Sequence, residues 1–375
     1  MRKILHHVHA LAFAILAGSG FLLYFSVLRG PLAPYRLPIS RFHGWVGEFF
    51  CLCLTLYAAF FLLRRQRGWP RKRYRRFAGL VFFLMSVEAV SGLVVLRKAV
   101  WGPLTTTYAL EVHRWLAYLA IPAVLWHIWA VWPAAGPGSI SQTRRRFFAW
   151  LAVGVTGLWV STLLSRLFTR NRPQNIRGNA NCDVFLPPPE PSPESRLPIG
   201  GGMKGKFGEY SVVNFLPCLH QDTWRFTMDG LVNRSLSFRW EDFVRLPRKV
   251  QVSDFHCVEG WSVFNITYEG LLVADLLALA GIRPEARYVK FYSADGSYAD
   301  ALTLEQAQLP DVMIVLLMDG KPIPRVLGGP ARLIMPRMYA YKAVKWVTRI
   351  ELIDQPYLGY WEYHGFETDA WVGIY

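Results

Sequence analysis

Five apolar runs, each close to the length of a membrane-crossing helix, crowd into the first half of this chain. They run approximately Val8–Leu28, Gly44–Leu63, Phe77–Leu96, Trp115–Trp132 and Phe147–Leu164. A transmembrane helix needs about 20 predominantly apolar residues, and in lipid only helices and closed barrels satisfy their own backbone. The first run lacks a small-residue cleavage site and is followed by further spans, so it reads as a retained helix and not as a cleaved leader. A formal charge of +16 would otherwise suggest nucleic acid, but a mean hydropathy of +0.20 and 15 tryptophans do not suit a soluble nucleic-acid binder. Five cysteines in 375 residues are too few for a disulfide scaffold. The expected partner of the first half is membrane lipid, with no nucleic acid.

The basic residues orient the spans. Arg2 and Lys3 precede the first run, and Arg144, Arg145 and Arg146 precede the fifth. Arg64, Arg65, Arg67, Arg71, Lys72, Arg73, Arg75 and Arg76 fill the segment between the second and third. The opposite loops hold only Arg29, Arg36 and Arg41, then Arg97 and Lys98. Short loops rich in Lys and Arg stay cytoplasmic. The N-terminus is therefore expected inside and everything after the fifth run outside, as in a multi-pass bacterial inner-membrane protein with a periplasmic C-terminal domain.

After the fifth run the composition changes. Pro187, Pro188, Pro189, Pro191, Pro193 and Pro198, followed by Gly200, Gly201 and Gly202, read as an extended linker. Beyond it the pattern is α+β. Short β-rich segments such as Thr223–Met228 and Arg287–Tyr292 are separated by Asp229-Gly230, Asp295-Gly296 and Asp319-Gly320. A helix is predicted from about Leu271 to Ala280, ending at Gly281 with Pro284 following.

Ionisable residues inside spans are expensive and usually functional. His6, His7, His9, His43, His113 and His127 all fall in or at the ends of spans one, two and four. His113 and His127 lie within about 40° of one helix face and about 21 Å apart along its axis. Span one starts inside, which puts His6 to His9 level with His127. Span two starts outside, which puts His43 level with His113. Two bis-histidine pairs at two depths follow from orientation and spacing. Imidazole pairs from facing helices are what low-spin haem iron needs, and Gly18, Gly20, Gly44 and Gly47 would let a porphyrin approach the backbone. The plainer alternative is interfacial histidines that bond to headgroups or neighbouring helices. Glu48, Glu88 and Glu111 also lie in or near spans, either as helix-to-helix hydrogen-bonding groups or as proton carriers at a quinone site.

Residues 1–135 resemble the di-haem cytochrome b subunits of formate dehydrogenase and nickel hydrogenase. The resemblance rests on K-I-L-H-H-V-H-A with Ser19-Gly20 downstream, on R-F-H-G-W-V-G, and on the His113/His127 pair. It implies two b-type haems on His6, His43, His113 and His127, with His9 as the fallback for His6, and exchange of electrons with quinone or quinol. Thr143-Arg144-Arg145-Arg146-Phe147-Phe148 resembles the twin-arginine export motif, ahead of an apolar stretch. That implies a C-terminal domain folded with its cofactor before export, and the twin-arginine machinery as a partner. Positive-inside charge before a helix is the simpler account of the same arginines.

In the second half the chemistry gathers around Ser253-Asp254-Phe255-His256-Cys257-Val258-Glu259-Gly260-Trp261-Ser262. A thiolate beside His256 suits a soft or high-valent metal, although a lone cysteine is more often inert core. Residues Thr223–Gly373 resemble the sulfite oxidase-like molybdopterin-binding fold. The motifs are W-R-F-T-M-D-G-L-V, then H-C-V-E-G-W-S, Y-E-G-L-L-V-A-D-L-L, G-G-P-A-R-L-I-M-P and Y-K-A-V-K-W, in that order. The resemblance implies that Cys257 ligates molybdenum and that Arg332, Lys342 and Lys345 hold the anionic pterin cofactor. It also implies that His256 and Trp261 shape the pocket and that Tyr298 faces substrate. Cys182 and Cys218 are candidates for a disulfide, and Cys51 and Cys53 are apolar filler in span two. The V-E-G-W continuation is closer to the C-V-E-A-W of the periplasmic methionine sulfoxide reductases than to the A-G-N of animal and plant sulfite oxidases.

The expected architecture is thus multi-domain. An all-α, four-helix transmembrane di-haem domain over residues 1–135 precedes the twin-arginine-like segment and fifth helix over 136–165. A linker over 166–210 leads to an α+β molybdopterin domain over 211–375. The expected activity is oxygen-atom transfer on a small sulfur-oxo or related substrate, by reduction with electrons from quinol through two haems to molybdenum-molybdopterin. Sulfite-type oxidation feeding quinone is the alternative within the enzyme class. A non-catalytic electron relay that docks a partner is the alternative outside it.

Overall fold

The structure is a computed structural model, described here over residues 2–24, 32, 35–63, 72–131, 186–196, 199–208, 210–213 and 215–373. The fifth expected span and the Thr143–Phe148 motif lie outside these residues. The chain divides into two compact units, Met1–Phe25 with Pro38–Arg172, and Ser26–Leu37 with Pro173–Tyr375.

The first unit is helical: α1 (Arg2–Tyr24), α2 (Arg36–Leu63), α3 (Lys72–Leu96) and α4 (Lys98–Val131). Among the described residues three helices are long and apolar enough to cross a membrane, over Ile4–Tyr24, Arg36–Ala59 and Ala78–Leu96. α4 begins earlier than the apolar run alone predicts and bends where Gly102 takes φ 73 ahead of Pro103, which cannot donate to the helical ladder. Ala12, Phe50, Leu54 and Met85 form a small buried cluster, with Val124 of α4 packed against it. Many larger apolar side chains point outward instead, including Trp45, Phe83 and Val100. Such a surface is stable only against lipid or another apolar partner.

The second unit is α+β. One sheet has the order β2-β1-β10-β5-β6, from β1 (Arg225–Gly230), β2 (Leu236–Arg239), β5 (Tyr288–Ser293), β6 (Ala299–Thr303) and β10 (Val347–Ile353). β1 and β10 run parallel and the other neighbours antiparallel. The second sheet has the order β3-β4-β7-β8, with β9 also on β7. Its strands are β3 (Lys249–His256), β4 (Ser262–Leu272), β7 (Met313–Met318), β8 (Lys321–Pro322) and β9 (Arg332–Ile334). Side chains alternate across a strand, and β7 uses both faces. Ile314 and Leu316 join the main core with Phe226, Phe291 and Ile350, while Met313 and Val315 join a second cluster with Val263 and Ile266. A run buried on both faces shows no amphipathic period, which is why β7 reads as uniformly apolar.

Turn chemistry sets the register. Asp319 and Gly320 both have positive φ, 50° and 69°, as a two-residue hairpin between β7 and β8 requires. The Asp319 carboxylate also accepts from the Thr267 and Met203 backbone amides, at 2.9 and 2.8 Å. The predicted helix begins two residues later than expected, at Val273, because Leu271 and Leu272 still pair with β7. It ends at Gly281 with φ 70.

The Pro/Gly-rich stretch, expected as an open linker, is over its described part a strap laid on the domain. Leu186 enters the core, the Trp240 indole donates to the Pro187 carbonyl at 2.8 Å, and Lys204 bridges to Phe264. Glu269, fully buried, accepts from the Ser192 amide and pairs with Arg248 Nε at 3.0 Å. Proline loses little backbone freedom on ordering, so such a strap is easily held.

Candidate active site

Cys257 occupies the first position after β3, in the tight loop Cys257–Trp261 that joins β3 to β4. Its amide donates to the Trp261 carbonyl at 2.9 Å, and the Gly260 amide returns to the Cys257 carbonyl at 3.0 Å. The loop closes because Gly260 adopts φ 94, a conformation that costs any side-chain-bearing residue strain. The Cys257 thiol is outside any disulfide and lines a cavity of about 140 Å³.

The same cavity is lined by Trp261, Tyr298, Arg332 and Lys345, all named from sequence. Trp261 stacks on Phe255 with ring centroids 5.8 Å apart, and the Arg332 guanidinium lies over the other neighbour of that stack, 4.8 Å from the Phe255 centroid. Arg332 is buried. Nη1 donates to the Leu327 carbonyl at 2.7 Å, while Nε has no hydrogen-bond partner among the described residues. Burial lowers its pKa to about 10, with Tyr268 opposing, so the guanidinium stays charged at neutral pH. Lys345 Nζ donates to the Tyr210 and Val326 carbonyls. Tyr298 donates to the Tyr341 carbonyl, and its hydroxyl is held well above its usual pKa, first by burial and then by Asp300.

Two residues named from sequence lie elsewhere. His256 faces a smaller void beside Asp254 and Tyr268, with Nδ1 2.9 Å from Ser262 Oγ, and burial lowers its pKa. Lys342, expected near the cofactor, does not line the cavity. Its Nζ is buried between Asp300 at 2.9 Å and Glu362. Its lysine identity marks an internal ion cluster, which composition cannot separate from an anion-binding position. Sequence reading also missed the wall supplied by the strap residues Phe207, Gly208 and Tyr210, and by Trp346, Trp361 and Phe366. The recurrence of aromatics near the C-terminus was the available signal. Trp346 holds φ 51, an uncommon value for a tryptophan, which places stored strain at the cavity.

The cavity fits an anionic, metal-bearing cofactor on two observations: a reduced thiol and a buried guanidinium with an unmet donor line one space. Unmet buried donors are costly, and an anionic acceptor would relieve this one.

In the helical unit the structure brings the named histidines together in pairs. The ring centroids of His43 and His113 are 6.4 Å apart, and those of His6 and His127 are 6.3 Å apart. His9 instead stacks on Phe50 at 4.2 Å. Ser19 Oγ lies 2.8 Å from both the Ile15 carbonyl and His43 Nδ1. The Glu88 carbonyl, which can only accept, takes a hydrogen bond from His113 Nδ1 at 3.1 Å. A neutral His113 therefore carries its proton on Nδ1 and keeps Nε2 as a lone pair, the tautomer a metal ligand needs. Gly20 and Gly92 make room for these rings, since a side-chain carbon at Gly92 would stand 3.1 Å from His113 Cε1. Gly44 is closed by Leu96, whereas Gly18 faces open space.

Residues 214–361 match the family described as the oxidoreductase molybdopterin binding domain. The uncharacterized oxidoreductase YuiH of Bacillus subtilis is 29% identical over 150 residues, 40% of this chain and 75% of that protein. The protein-methionine-sulfoxide reductase catalytic subunit MsrP of Ralstonia nicotianae is 24% identical over 265 residues, 66% of this chain and 76% of that protein. The subunit YedZ1 of Azospira oryzae is 30% identical over 151 residues, 40% of this chain and 56% of that protein. With a thiol and a guanidinium on one cavity, residues 214–361 of this chain form a molybdopterin-binding oxidoreductase domain.

Proposed function

We propose that this chain is a membrane-bound molybdoenzyme that reduces a sulfoxide or similar oxo substrate with electrons drawn from quinol through two b haems. The observation that carries the reading is the convergence of Cys257 and Arg332 on one aromatic-walled cavity. Cys257 would hold the molybdenum, and Arg332 and Lys345 would complement the anionic pterin. The bound cofactor supplies two-electron oxygen-atom transfer. Trp261, Trp346, Trp361 and Phe366 exclude water and offer apolar surface. Such walls suit a neutral sulfoxide better than a sulfite dianion, which needs several convergent cations. Tyr298 brings a hydroxyl to the cavity wall. The MsrP relative is named for methionine sulfoxide reduction, in agreement with this substrate class.

For the haems, His43 with His113 and His6 with His127 would supply the imidazole pairs that hold the iron, their ring centroids lying 6.4 and 6.3 Å apart. The reading places the C-terminal domain in the periplasm. Its support is the run of basic residues before and between spans and the disulfide at Cys218, since disulfides persist in oxidising compartments. The partner expected for Cys218, Cys182, lies outside the described residues. Export through the twin-arginine machinery belongs to the same reading.

The test is the direction of electron flow in purified, cofactor-loaded protein. Adding methionine sulfoxide should oxidise a quinol analogue, and Cys257→Ala should abolish this. Reduction of quinone on adding sulfite, with no response to sulfoxide, would reverse the assignment.

A further inference from the structure

Three ionisable side chains that no cofactor role absorbs sit together behind the cavity wall. Lys342 Nζ donates to Asp300 Oδ1 at 2.9 Å and to Glu362, and all three side chains are at most 2% exposed. Two carboxylates against one ammonium leave one negative charge uncompensated in a place closed to bulk solvent. Such a charge is costly, and the cheapest remedy is to bind one proton.

Lys342 holds Asp300 Oδ1 and Glu362 Oε1, which leaves Asp300 Oδ2 and Glu362 Oε2 as the oxygens open to that proton, and only the Asp300 oxygen is turned to the cavity-lining Tyr298. Asp300 Oδ1 is taken by Lys342 Nζ and by the Ala301 amide at 2.7 Å. Oδ2 is turned to the Tyr298 hydroxyl, 3.4 Å away. Tyr298 and Asp300 are two residues apart on extended chain and so share a face, which aims both at one spot. Tyr298 lines the cavity, whereas Asp300, Lys342 and Glu362 do not. Gly359 lets the carboxylates close in, since a side-chain carbon there would stand 2.4 Å from Glu362 Oε2 and 2.6 Å from Asp300. Tyr341 and Tyr357 also face this pair, and Tyr360 packs on Tyr298 with ring centroids 6.4 Å apart. Burial raises Asp300 to about 7, with Lys342 pulling it down and Glu362 pushing it up. Burial pulls Lys342 down, but Asp300 and Glu362 outweigh it and the net shift is upward.

We propose that the Asp300–Lys342–Glu362 cluster is a proton store for the reaction at the cavity, discharged through the Tyr298 hydroxyl. The proposal rests on the sulfoxide-reductase reading. Reduction of a sulfoxide takes two electrons and two protons: the S–O bond breaks, sulfur keeps the electron pair, and the oxygen leaves as water. The electrons come from a quinol, or from a reduced viologen dye in the assay. Tyr298 swings its hydroxyl proton from the Tyr341 carbonyl to the departing oxygen and takes a replacement from Asp300 Oδ2. The second proton, and the recharging of Asp300, come from solvent. Asp300, Lys342 and Glu362 are positioning residues that act through Tyr298.

The experiment is dye-driven reduction of methionine sulfoxide by the full, cofactor-loaded chain from about pH 5.5 to about pH 9. In the wild type the rate should fall as the pH rises through about 7, as the store empties. Glu362→Gln removes a charge that raises Asp300, so the midpoint should move to lower pH by about one unit. Asp300→Asn should remove the pH-dependent limb and lower the rate by about a hundredfold at low pH. Wild-type midpoints in both variants, at wild-type molybdenum content, would leave the cluster merely structural and overturn the proposal. Should a variant not fold, the wild type alone decides. Its infrared spectrum should contain a deuterium-sensitive band of a buried carboxylic acid that vanishes through about pH 7, and absence of that band across the range overturns the store. A wild type that reduces no sulfoxide with the dye overturns the functional reading itself, while activity with unmoved midpoints overturns only the store.

Discussion

The two units of this chain use their apolar residues in opposite directions. Among the described residues of the helical unit Phe83 is 61% exposed and few large side chains, such as Phe50 and Leu54, are buried, whereas in the C-terminal unit Phe226, Phe291 and Ile350 are wholly buried. One is built for an apolar solvent and the other for water. Polar groups follow the same division. In the helices His43 and His113 are tied to a hydroxyl and a backbone carbonyl. In the C-terminal unit buried charges answer each other, as Lys342 does with Asp300 and Glu362, and Arg248 with Glu269. The contrast teaches that the helices tie buried imidazoles to neighbouring hydroxyl and carbonyl groups and keep ion pairs such as Arg97–Glu48 exposed, while the C-terminal unit assembles buried charge clusters behind its site.

The largest expected effect tests whether the chemistry resides in one unit only. Cys257→Ala should bring sulfoxide reduction to background while leaving the visible spectrum of the helical unit unchanged. Loss of that spectrum as well would mean the two units do not hold their cofactors independently. A second comparison sets inward against outward apolar residues. Phe226→Ala should destabilise the C-terminal unit by about 3–5 kcal/mol in thermal or denaturant unfolding. Phe83→Ala in detergent should change stability by no more than about 0.5 kcal/mol. Equal effects would break the contrast. Ser19→Ala removes the hydroxyl that orients His43, and outer partners of this kind are worth about 10–100-fold in metal affinity. The expected result is weaker haem retention and a shifted potential for one centre, with the other unmoved. The smallest effect is local: Thr303 and Gln306 form a capping box at the start of the Leu304–Ala307 turn, and Thr303→Ala should cost about 1 kcal/mol.

Three of the apolar runs were legible as helices because a span must be long and apolar. The pairing of His6 with His127 and of His43 with His113 was expected from helical spacing taken together with loop charge, and the rings lie 6.3 and 6.4 Å apart. The α+β unit offered weaker periodic signals. β1 and β5 were placed from β-rich composition, and the turn at Asp319-Gly320 from turn chemistry. The order of strands, with β10 returning beside β1, depends on contacts some 120 residues apart that no local pattern encodes. Cys257, Trp261, Arg332 and Lys345 carried a family signature and converge on the cavity. Lys342 carried the same signature and does not, because its neighbours Asp300 and Glu362 come from a distant strand and a short helix near the C-terminus. The strap was misjudged for a related reason: proline-rich composition reports low ordering cost, not whether a surface waits to receive the chain.

The central claim is that one polypeptide carries electrons from haem to a molybdenum site at Cys257. The direct measurement is the reduced-minus-oxidised visible spectrum of the purified chain, followed after adding methionine sulfoxide. The account predicts about two b-type haems per chain, which reoxidise when the sulfoxide is added to wild type but stay reduced in Cys257→Ala. Less than one haem per chain, or haems that stay reduced while dye-driven sulfoxide reduction proceeds, would contradict it.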